Sequence, residues 1–213
     1  MKRLAKGVRI LWGRLKEQGC PVTFWWAADH LARMITGVPI RRVSAITPQL
    51  HVGGQYRRRG WPALARRGTT AVVNMREEFD DAQAGIAPAR YLHLSTVDDH
   101  PPAMEAIRTG VAFIQDEVAR GGSVYIHCGA GVGRAPAMAA AYLVSTGLSA
   151  DQAWATIRRV RPFIRPHLEQ VEQVEQYARE LTAAPPAPPD GRGAPELPCD
   201  PPPTSADHPT HPA

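Results

Sequence analysis

Short apolar runs alternate with longer stretches of helical periodicity between residues 41 and 183. Runs rich in β-branched and apolar residues predict strands at 49–53, 71–75, 91–95 and 124–128. Apolar spacing of three and four predicts helices at 61–68, 103–120, 136–146, 150–161 and 167–182. Ser149 is the predicted N-cap of the fourth of these helices. Short strands alternating with helices indicate an α/β fold in three layers, with a short, mostly parallel central sheet flanked by helices.

The two ends of the chain differ from this middle part. Residues 1–40 form a predicted basic, amphipathic helical extension, with Leu4, Val8, Leu11 and Leu15 on one face. One interpretation is peripheral membrane contact through residues 1–26. The other, which we favour because amphipathic helices commonly pack on protein, is a helix docked on the domain at 41–183 with its cations in solvent. Residues 184–213 are rich in proline and predict a disordered tail.

Composition narrows the class of protein without choosing a substrate. The 213 residues carry a net charge of +5, which favours anionic partners. The arginines are dispersed and no recognition module is present, so we expect no nucleic-acid partner. Three well-separated cysteines predict neither a disulfide framework nor a zinc site. With no apolar run long enough to span a bilayer and a poor signal-peptide pattern, we expect a retained N-terminus and a cytoplasmic location, with membrane-peripheral as the alternative.

One segment carries the candidate chemistry: residues 124–136 read VYIHCGAGVGRAP. A strand ends at Cys128, and a loop leads from it to Arg134 and a helix; the loop consists of Gly129, Ala130, Gly131, Val132 and Gly133. Backbone N–H groups of such a loop and the helix N-terminus cradle an anion, and a guanidinium can hold two phosphate oxygens. The same groups favour the Cys128 thiolate. We therefore expect attack on phosphorus through a cysteinyl-phosphate, with no metal or other cofactor.

The motif H-C-x-x-G-x-x-R, here HCGAGVGR at 127–134, resembles the signature of the cysteine-dependent protein tyrosine phosphatases. VVNMREEFD at 72–80, LHLSTVDDHPP at 92–102 and SVYIHCGAGVGRAPAMAAAYLV at 123–144 are similar to the dual-specificity branch. The similarity is closest to the mitochondrial-type phosphatases that act on phosphatidylglycerophosphate, and to their bacterial relatives. It covers about residues 44–182 and implies a dual-specificity phosphatase-like fold.

The resemblance also implies roles for residues outside the loop. The family protonates the leaving oxygen with an aspartic acid on a loop before the cysteine strand. Aligned with the family's T-V-D this is Asp98, which we favour; aligned with a D-H pattern it is Asp99. His127 is implied to orient the loop by hydrogen bonding rather than to catalyse. Arg76, together with Glu77 and Glu78, ends a strand at the sheet edge where ligands bind; it either lines the mouth of the site or belongs to a solvated turn.

Ala135 departs from the family pattern, in which Ser or Thr follows the arginine and helps the cysteine sulfur to leave. Attack on substrate should survive this change, whereas breakdown of the intermediate should slow. We predict a protein tyrosine/serine/threonine phosphatase. The alternatives are a phospholipid headgroup phosphatase of phosphatidylglycerophosphate or phosphoinositide type, or a slow phosphate-binding pseudophosphatase. The partner is accordingly a phosphorylated protein or a phospholipid, and the oligomeric state stays open.

Overall fold

Four parallel strands form one central sheet in the computed structural model, which describes residues 2–183. The strands are β1 Leu50–Gly54, β2 Ala71–Arg76, β3 Arg90–Thr96 and β4 Val124–Cys128, in the order β1-β4-β2-β3. The helices are α1 Lys2–Thr36, α2 Trp61–Arg66, α3 Met104–Ala119, α4 Arg134–Ser145, α5 Ala150–Val160 and α6 Leu168–Ala183. The predicted α/β class and parallel sheet are confirmed. The proline-rich stretch at 184–213 lies outside the described residues.

Alternate residues of the strands face opposite layers, as the pleat of a β-strand requires. In β4, Ile126 and Cys128 belong to the larger hydrophobic core, whereas Tyr125 belongs to a smaller core on the other face of the sheet. The larger core is filled by α4, which is buried along nearly its whole length and contacts α3, α5 and α6. Three consecutive alanines, 139–141, let these helices approach closely. α4 is thereby fixed against the sheet, and the loop that precedes it is fixed with it.

Helix ends follow the local chemistry of the sequence. The Ser149 side chain accepts a hydrogen bond from the backbone N–H of Gln152, and the Gln152 side chain accepts one from the backbone N–H of Ser149. This reciprocal capping box confirms Ser149 as the N-cap of α5. The helix predicted at 136–146 begins two residues earlier, at Arg134. That start places the arginine in the first turn, directly beside the loop.

The N-terminal helix α1 bends at Gly19, whose φ of 79° is non-helical, two residues before Pro21. Its second half contacts the rest of the chain through buried Asp29 and Arg33. None of the described helices is long and apolar enough to cross a membrane. Apolar side chains nevertheless remain exposed along α1, among them Trp12, Phe24, Leu31 and Ile35.

Two expectations about α1 are wrong in detail. Leu11, placed by periodicity on the packed face, is exposed. Arg14, expected in solvent, is buried: it donates to the carbonyl of Phe163 at 3.3 Å and lies over the ring of Trp26. Burial lowers the pKa of Arg14 to about 10. The polar contacts of this part of α1 are made to backbone carbonyl oxygens, those of Phe163 and Ile164, which accept from Arg14 and Gln18.

Candidate active site

The predicted loop follows β4 at the carboxyl edge of the sheet. In the sheet, β4 lies between β1 and β2. Cys128 is the last residue of β4, and its register partner on β1 is Gly54. Arg134 is the first residue of α4. The strand, loop and helix expected from the sequence are all present. Carboxyl ends of parallel strands are where open α/β sheets bind ligands, and the candidate nucleophile lies there.

All five carbonyl oxygens of loop 129–133 have hydrogen-bond donors from outside the loop. Gly129 O accepts from the backbone N–H of Gln55 at 3.1 Å and from Arg33 Nη1 at 3.3 Å. Ala130 O and Gly131 O accept from Arg161 at 3.1 and 2.7 Å. Val132 O accepts from the N–H of Arg165 at 2.7 Å, and Gly133 O from that of Ala137 at 3.0 Å. Since the carbonyl groups point outward, the N–H groups of the loop are left to face the thiol side.

Gly131 makes this loop path feasible. Its φ of +69° is one that side-chain-bearing residues rarely adopt. A Cβ at this position would lie 2.2 Å from the backbone carbon of Gly53 on β1. The Gly131 N–H donates to Cys128 Sγ at 3.3 Å. The loop therefore needs glycine here both for its conformation and for its contact with the sheet.

A buried cluster of three charged residues holds the back of the loop. Asp29 Oδ2 lies 3.2 Å from Arg161 Nη2 and 3.6 Å from Arg33 Nε, and all three side chains are more than nine-tenths buried. Asp29 Oδ1 also accepts the N–H of Ile40 at 3.0 Å. Burial lowers the pKa of Arg161, and the charge of Asp29 opposes that shift. The carboxylate thus balances two guanidinium groups that both donate to loop carbonyls.

Sequence reasoning missed this cluster. Asp29 and Arg33 have helical i, i+4 spacing, which is typical of a solvent-exposed ion pair. Arg161 lies among other arginines at the end of a helix. Nothing local to these positions indicates the loop, which is far away along the chain. The one available signal was the presence of an aspartate in a helix otherwise rich in tryptophan and basic residues.

The guanidinium of Arg134 is buried and held by two carboxylates. Its Nη1 and Nη2 donate to Glu78 Oε2 and Oε1 at 2.8 and 3.0 Å, and Nη2 lies 2.7 Å from Asp98 Oδ1. Nη1 also donates to the carbonyl of Thr96 at 2.8 Å. Hydrogen bonds from Arg134 lower the pKa of Glu78 to about 2. Within the described part of the chain, Nε has no partner, so this edge is the one available to a bound anion.

The structure separates the two candidate acids. Asp98 reaches Arg134, as described, whereas the Asp99 carboxylate turns to His167 Nε2 at 3.1 Å. Asp99 has a left-handed φ of 62°, which aspartate tolerates better than most residues. The consecutive carboxylates therefore point in different directions, and Asp98 is the one next to Arg134.

His127 does not bond to the loop directly. Its Nε2 pairs with Asp81 Oδ2 at 2.7 Å, with both side chains fully buried. Asp81 Oδ1 in turn accepts from the side chain of Gln55 at 2.8 Å, and the Gln55 backbone N–H bonds to Gly129 O. The orienting role implied by the family resemblance would thus act through Asp81 and Gln55, two residues that sequence reasoning did not single out.

Arg76 contacts two residues that lie beside the loop, Glu78 and Gln55, and its place at the mouth of the site stays a prediction. It donates from Nε to Glu78 Oε1 and from Nη1 to Gln55 Oε1, both at 2.8 Å, and lies over the ring of Phe79. Ala135 is fully buried in the main core. Among the residues described, no group of three or more His, Cys, Asp or Glu side chains is arranged to hold a metal ion.

Comparison with known proteins agrees with this geometry. The model of the family described as dual specificity phosphatase, catalytic domain, matches residues 50–180. Rat Protein phosphatase Slingshot homolog 3 is 28% identical over 170 residues, covering 78% of this chain and 26% of that protein. The chain thus spans about a quarter of that relative. Mouse Phosphatidylglycerophosphatase and protein-tyrosine phosphatase 1 is 32% identical over 124 residues, covering 53% of this chain and 63% of that protein.

Solved structures show the same fold. The crystal structure of PTPMT1 in complex with PI(5)P has a TM-score of 0.60 and 28% identity, covering 65% of this chain and 95% of that one. Human DUSP28 has a TM-score of 0.59 and 26% identity, covering 65% of this chain and 96% of that one. The three-layer arrangement of the sheet and helices is therefore that of these phosphatases.

Replacing Asp29 with asparagine should disrupt the loop from behind. The substitution leaves Arg161 and Arg33 buried without a counter-charge, so we expect the free energy of unfolding to fall by about 3–5 kcal/mol. In the fraction that folds, a displaced loop should lower kcat/KM for p-nitrophenyl phosphate by about tenfold to a hundredfold. Urea unfolding and steady-state kinetics measure the two effects.

Glu17→Gln is the matched control, because it removes a carboxylate of the same helix whose partner, Arg165, is half exposed. Its cost should stay below about 1 kcal/mol, without effect on turnover. Equal results for the two variants would show that Asp29 does not hold the loop.

Proposed function

Because this chain belongs to the dual specificity phosphatase family, we propose that it hydrolyses phosphomonoesters through a cysteinyl-phosphate on Cys128. The observation that carries the proposal is the loop at 129–133, with every carbonyl held outward and the Gly131 N–H directed at the sulfur. A dianionic phosphate in this loop would meet N–H groups, the N-terminus of α4 and the free Nε edge of Arg134. Cys128 would lie beneath it.

In the first step the Cys128 thiolate attacks phosphorus in line with the leaving oxygen. The S–P bond forms as the P–O bond breaks, and Asp98 gives its proton to the departing alkoxide or phenoxide. To do so, Asp98 must carry a proton, and its carboxyl group must separate from Arg134 Nη2. A bound phosphate that takes the place of Asp98 at Nη2 would promote this separation. In the second step Asp98 takes a proton from water, the hydroxide oxygen attacks phosphorus, and the S–P bond breaks to release phosphate and the thiolate.

Phosphotyrosine, phosphoserine and phosphothreonine in proteins are the first proposed substrate class, in line with the protein phosphatases among the relatives. The second class is phospholipid headgroup phosphate. It is favoured by the exposed apolar side chains of α1 and by the similarity to a phosphatidylglycerophosphatase. A reducing compartment such as the cytoplasm would keep the Cys128 thiol free.

The first test follows hydrolysis of p-nitrophenyl phosphate at mildly acidic pH, with Cys128→Ser as the control. We expect a rapid burst of nitrophenol of up to one equivalent, followed by slower steady turnover, because thiolate attack should outrun breakdown of the intermediate. Both phases should vanish in Cys128→Ser. Turnover that persists in that variant would exclude the proposed nucleophile.

Ala135→Ser should raise steady turnover and leave the burst rate nearly unchanged. A hydroxyl at this position would stabilise the sulfur as it leaves phosphorus, which affects the second step alone. Pre-steady-state kinetics with p-nitrophenyl phosphate separate the two phases. Ala135→Val adds volume at the same buried position without a hydroxyl and serves as the control. If serine leaves turnover unchanged, the missing hydroxyl is not what limits the cycle.

Asp98→Asn should lower kcat by about 10²–10⁴-fold for phenyl phosphate, whose leaving group has a tyrosine-like pKa. The loss should be much smaller for p-nitrophenyl phosphate, because nitrophenoxide leaves without protonation. Asp99→Asn is the matched variant and should change neither rate appreciably, since its carboxylate faces His167. The reverse result, with the leaving-group-dependent loss in Asp99→Asn, would assign the acid to Asp99.

A further inference from the structure

A continuous series of side-chain hydrogen bonds joins the two ends of the loop at 129–133 without passing through the loop. We call this series the bridge. It runs from the residue before Cys128 to the first residue after the loop, and its members in order are His127, Asp81, Gln55, Arg76, Glu78 and Arg134. The contacts between successive members range from 2.7 to 3.0 Å. Of these residues, the proposed mechanism gives a role to Arg134 alone.

Gln55 occupies the middle of the bridge, where its amide meets two different demands. Its Nε2 donates to Asp81 Oδ1 at 2.8 Å, and its Oε1 accepts from Arg76 Nη1 at 2.8 Å. An ionised carboxylate only accepts hydrogen bonds, and a guanidinium only donates them. The side chain between Asp81 and Arg76 must therefore do both, and an amide does so without adding a charge.

On the Arg134 side, the bridge ends in a shared carboxylate oxygen. Glu78 Oε1 accepts from Arg76 Nε at 2.8 Å and from Arg134 Nη2 at 3.0 Å. The Glu78 side chain is 43% exposed, so its surroundings do not fix its conformation by close packing. Arg76, which is held by Gln55 and by the ring of Phe79, is the contact that orients it. The direction in which Glu78 meets Arg134 thus depends on Gln55.

On the Cys128 side, the bridge is buried. Asp81 and His127 are both fully buried, and Asp81 Oδ2 pairs with His127 Nε2. The other oxygen of this carboxylate accepts from Gln55. A buried acceptor that loses its donor is costly, so the placement of Asp81, and with it that of His127, depends on the same amide.

We propose that Gln55 is a positioning residue, whose side chain fixes Arg134 relative to Cys128 by connecting the two ends of the loop. The inference rests on the proposed phosphatase function and deepens it. Gln55 acts on Arg134 through Arg76 and Glu78, and on the residue before Cys128 through Asp81. Its effect therefore falls on the binding of a dianion in the loop.

Gln55→Leu tests the bridge, because it removes both side-chain contacts and keeps the backbone N–H that bonds to Gly129 O. The probe is tungstate, a phosphate-like dianion that is not hydrolysed, titrated by calorimetry at neutral pH. We expect its Kd to rise about tenfold, the size of one charge-assisted hydrogen bond. KM for p-nitrophenyl phosphate should rise with it, whereas kcat should change much less. Gln83→Leu is the matched control, because Gln83 is exposed and outside the bridge, and it should change neither quantity.

A double-mutant cycle with Glu78→Ala separates the bridge from a general structural role. Among the described hydrogen bonds, none joins Gln55 to Glu78 directly, so any coupling between them has to pass through Arg76. Glu78→Ala alone should weaken tungstate binding. In that background Gln55→Leu should change the Kd by less than about twofold, because the connection to Arg134 is already cut. A side chain that only stabilises the fold would cause the same loss in both backgrounds.

Gln55→Glu tests the Asp81 half of the bridge and covers the case in which Gln55→Leu fails to fold, which urea unfolding detects. A protonated carboxyl group donates to Asp81 and accepts from Arg76 as the amide does, whereas an ionised one can only accept. The ratio of its kcat/KM to that of the unmodified chain at the same pH should therefore be near one in acid. The ratio should fall as the pH rises and the carboxyl group loses its proton.

Four results would overturn the proposal: unchanged tungstate binding in Gln55→Leu, an equal loss in both backgrounds of the cycle, an equal loss in Gln83→Leu, or a ratio for Gln55→Glu that does not vary with pH. Failure of the unmodified chain to hydrolyse p-nitrophenyl phosphate would instead count against the phosphatase function itself. The calorimetric cycle does not need turnover and would still decide the role of Gln55. A lack of tungstate binding by the unmodified chain would overturn both.

Discussion

A cradle built from backbone N–H groups forces the carbonyl oxygens of the same peptides outward, and each of these needs a donor. This requirement shapes the molecule around its loop. Arg161 and Arg33 supply side-chain donors for three of the five carbonyls, and Asp29 makes their burial tolerable. The cluster of two guanidiniums and one carboxylate keeps a net positive charge directly behind the loop. It therefore holds the loop in shape and adds positive potential to the side on which an anion would bind.

The arginine that follows the loop satisfies two competing demands. Buried as it is, Arg134 needs counter-charges, and Glu78 and Asp98 provide them. Burial alone would lower the pKa of Arg134, but the Glu78 hydrogen bonds and the nearby Cys128, Asp98 and Glu78 charges raise it overall. An incoming phosphate meets a guanidinium already oriented by Glu78 and can use Nε without breaking that fork. The contact that it would displace is the one to Asp98, the acid in the proposed mechanism.

Local sequence was sufficient for the segment that carries the candidate nucleophile. The strand, glycine-rich loop and helix around Cys128 and Arg134 follow from composition within one short segment. The choice between Asp98 and Asp99 depends on backbone conformation, and a left-handed residue in that loop cannot be read from D-D-H. Asp29 and Arg161 are 132 residues apart, so no periodicity connects them. The burial of Arg14 was not predicted, because apolar spacing along α1 does not reveal the carbonyl oxygen of Phe163 that it meets.

The family match does not include all the residues that hold the candidate site. Residues 50–180 contain the whole loop, the candidate nucleophile and the candidate acid, yet two of the three charged side chains behind the loop come from α1. The division at residue 40 stays a prediction. If this chain exchanged its segments with a relative in the course of evolution, the first thirty-six residues could not be inherited separately from Arg161. Both segments would have to be exchanged together. Otherwise the receiving protein would need other donors for the carbonyl oxygens of the loop.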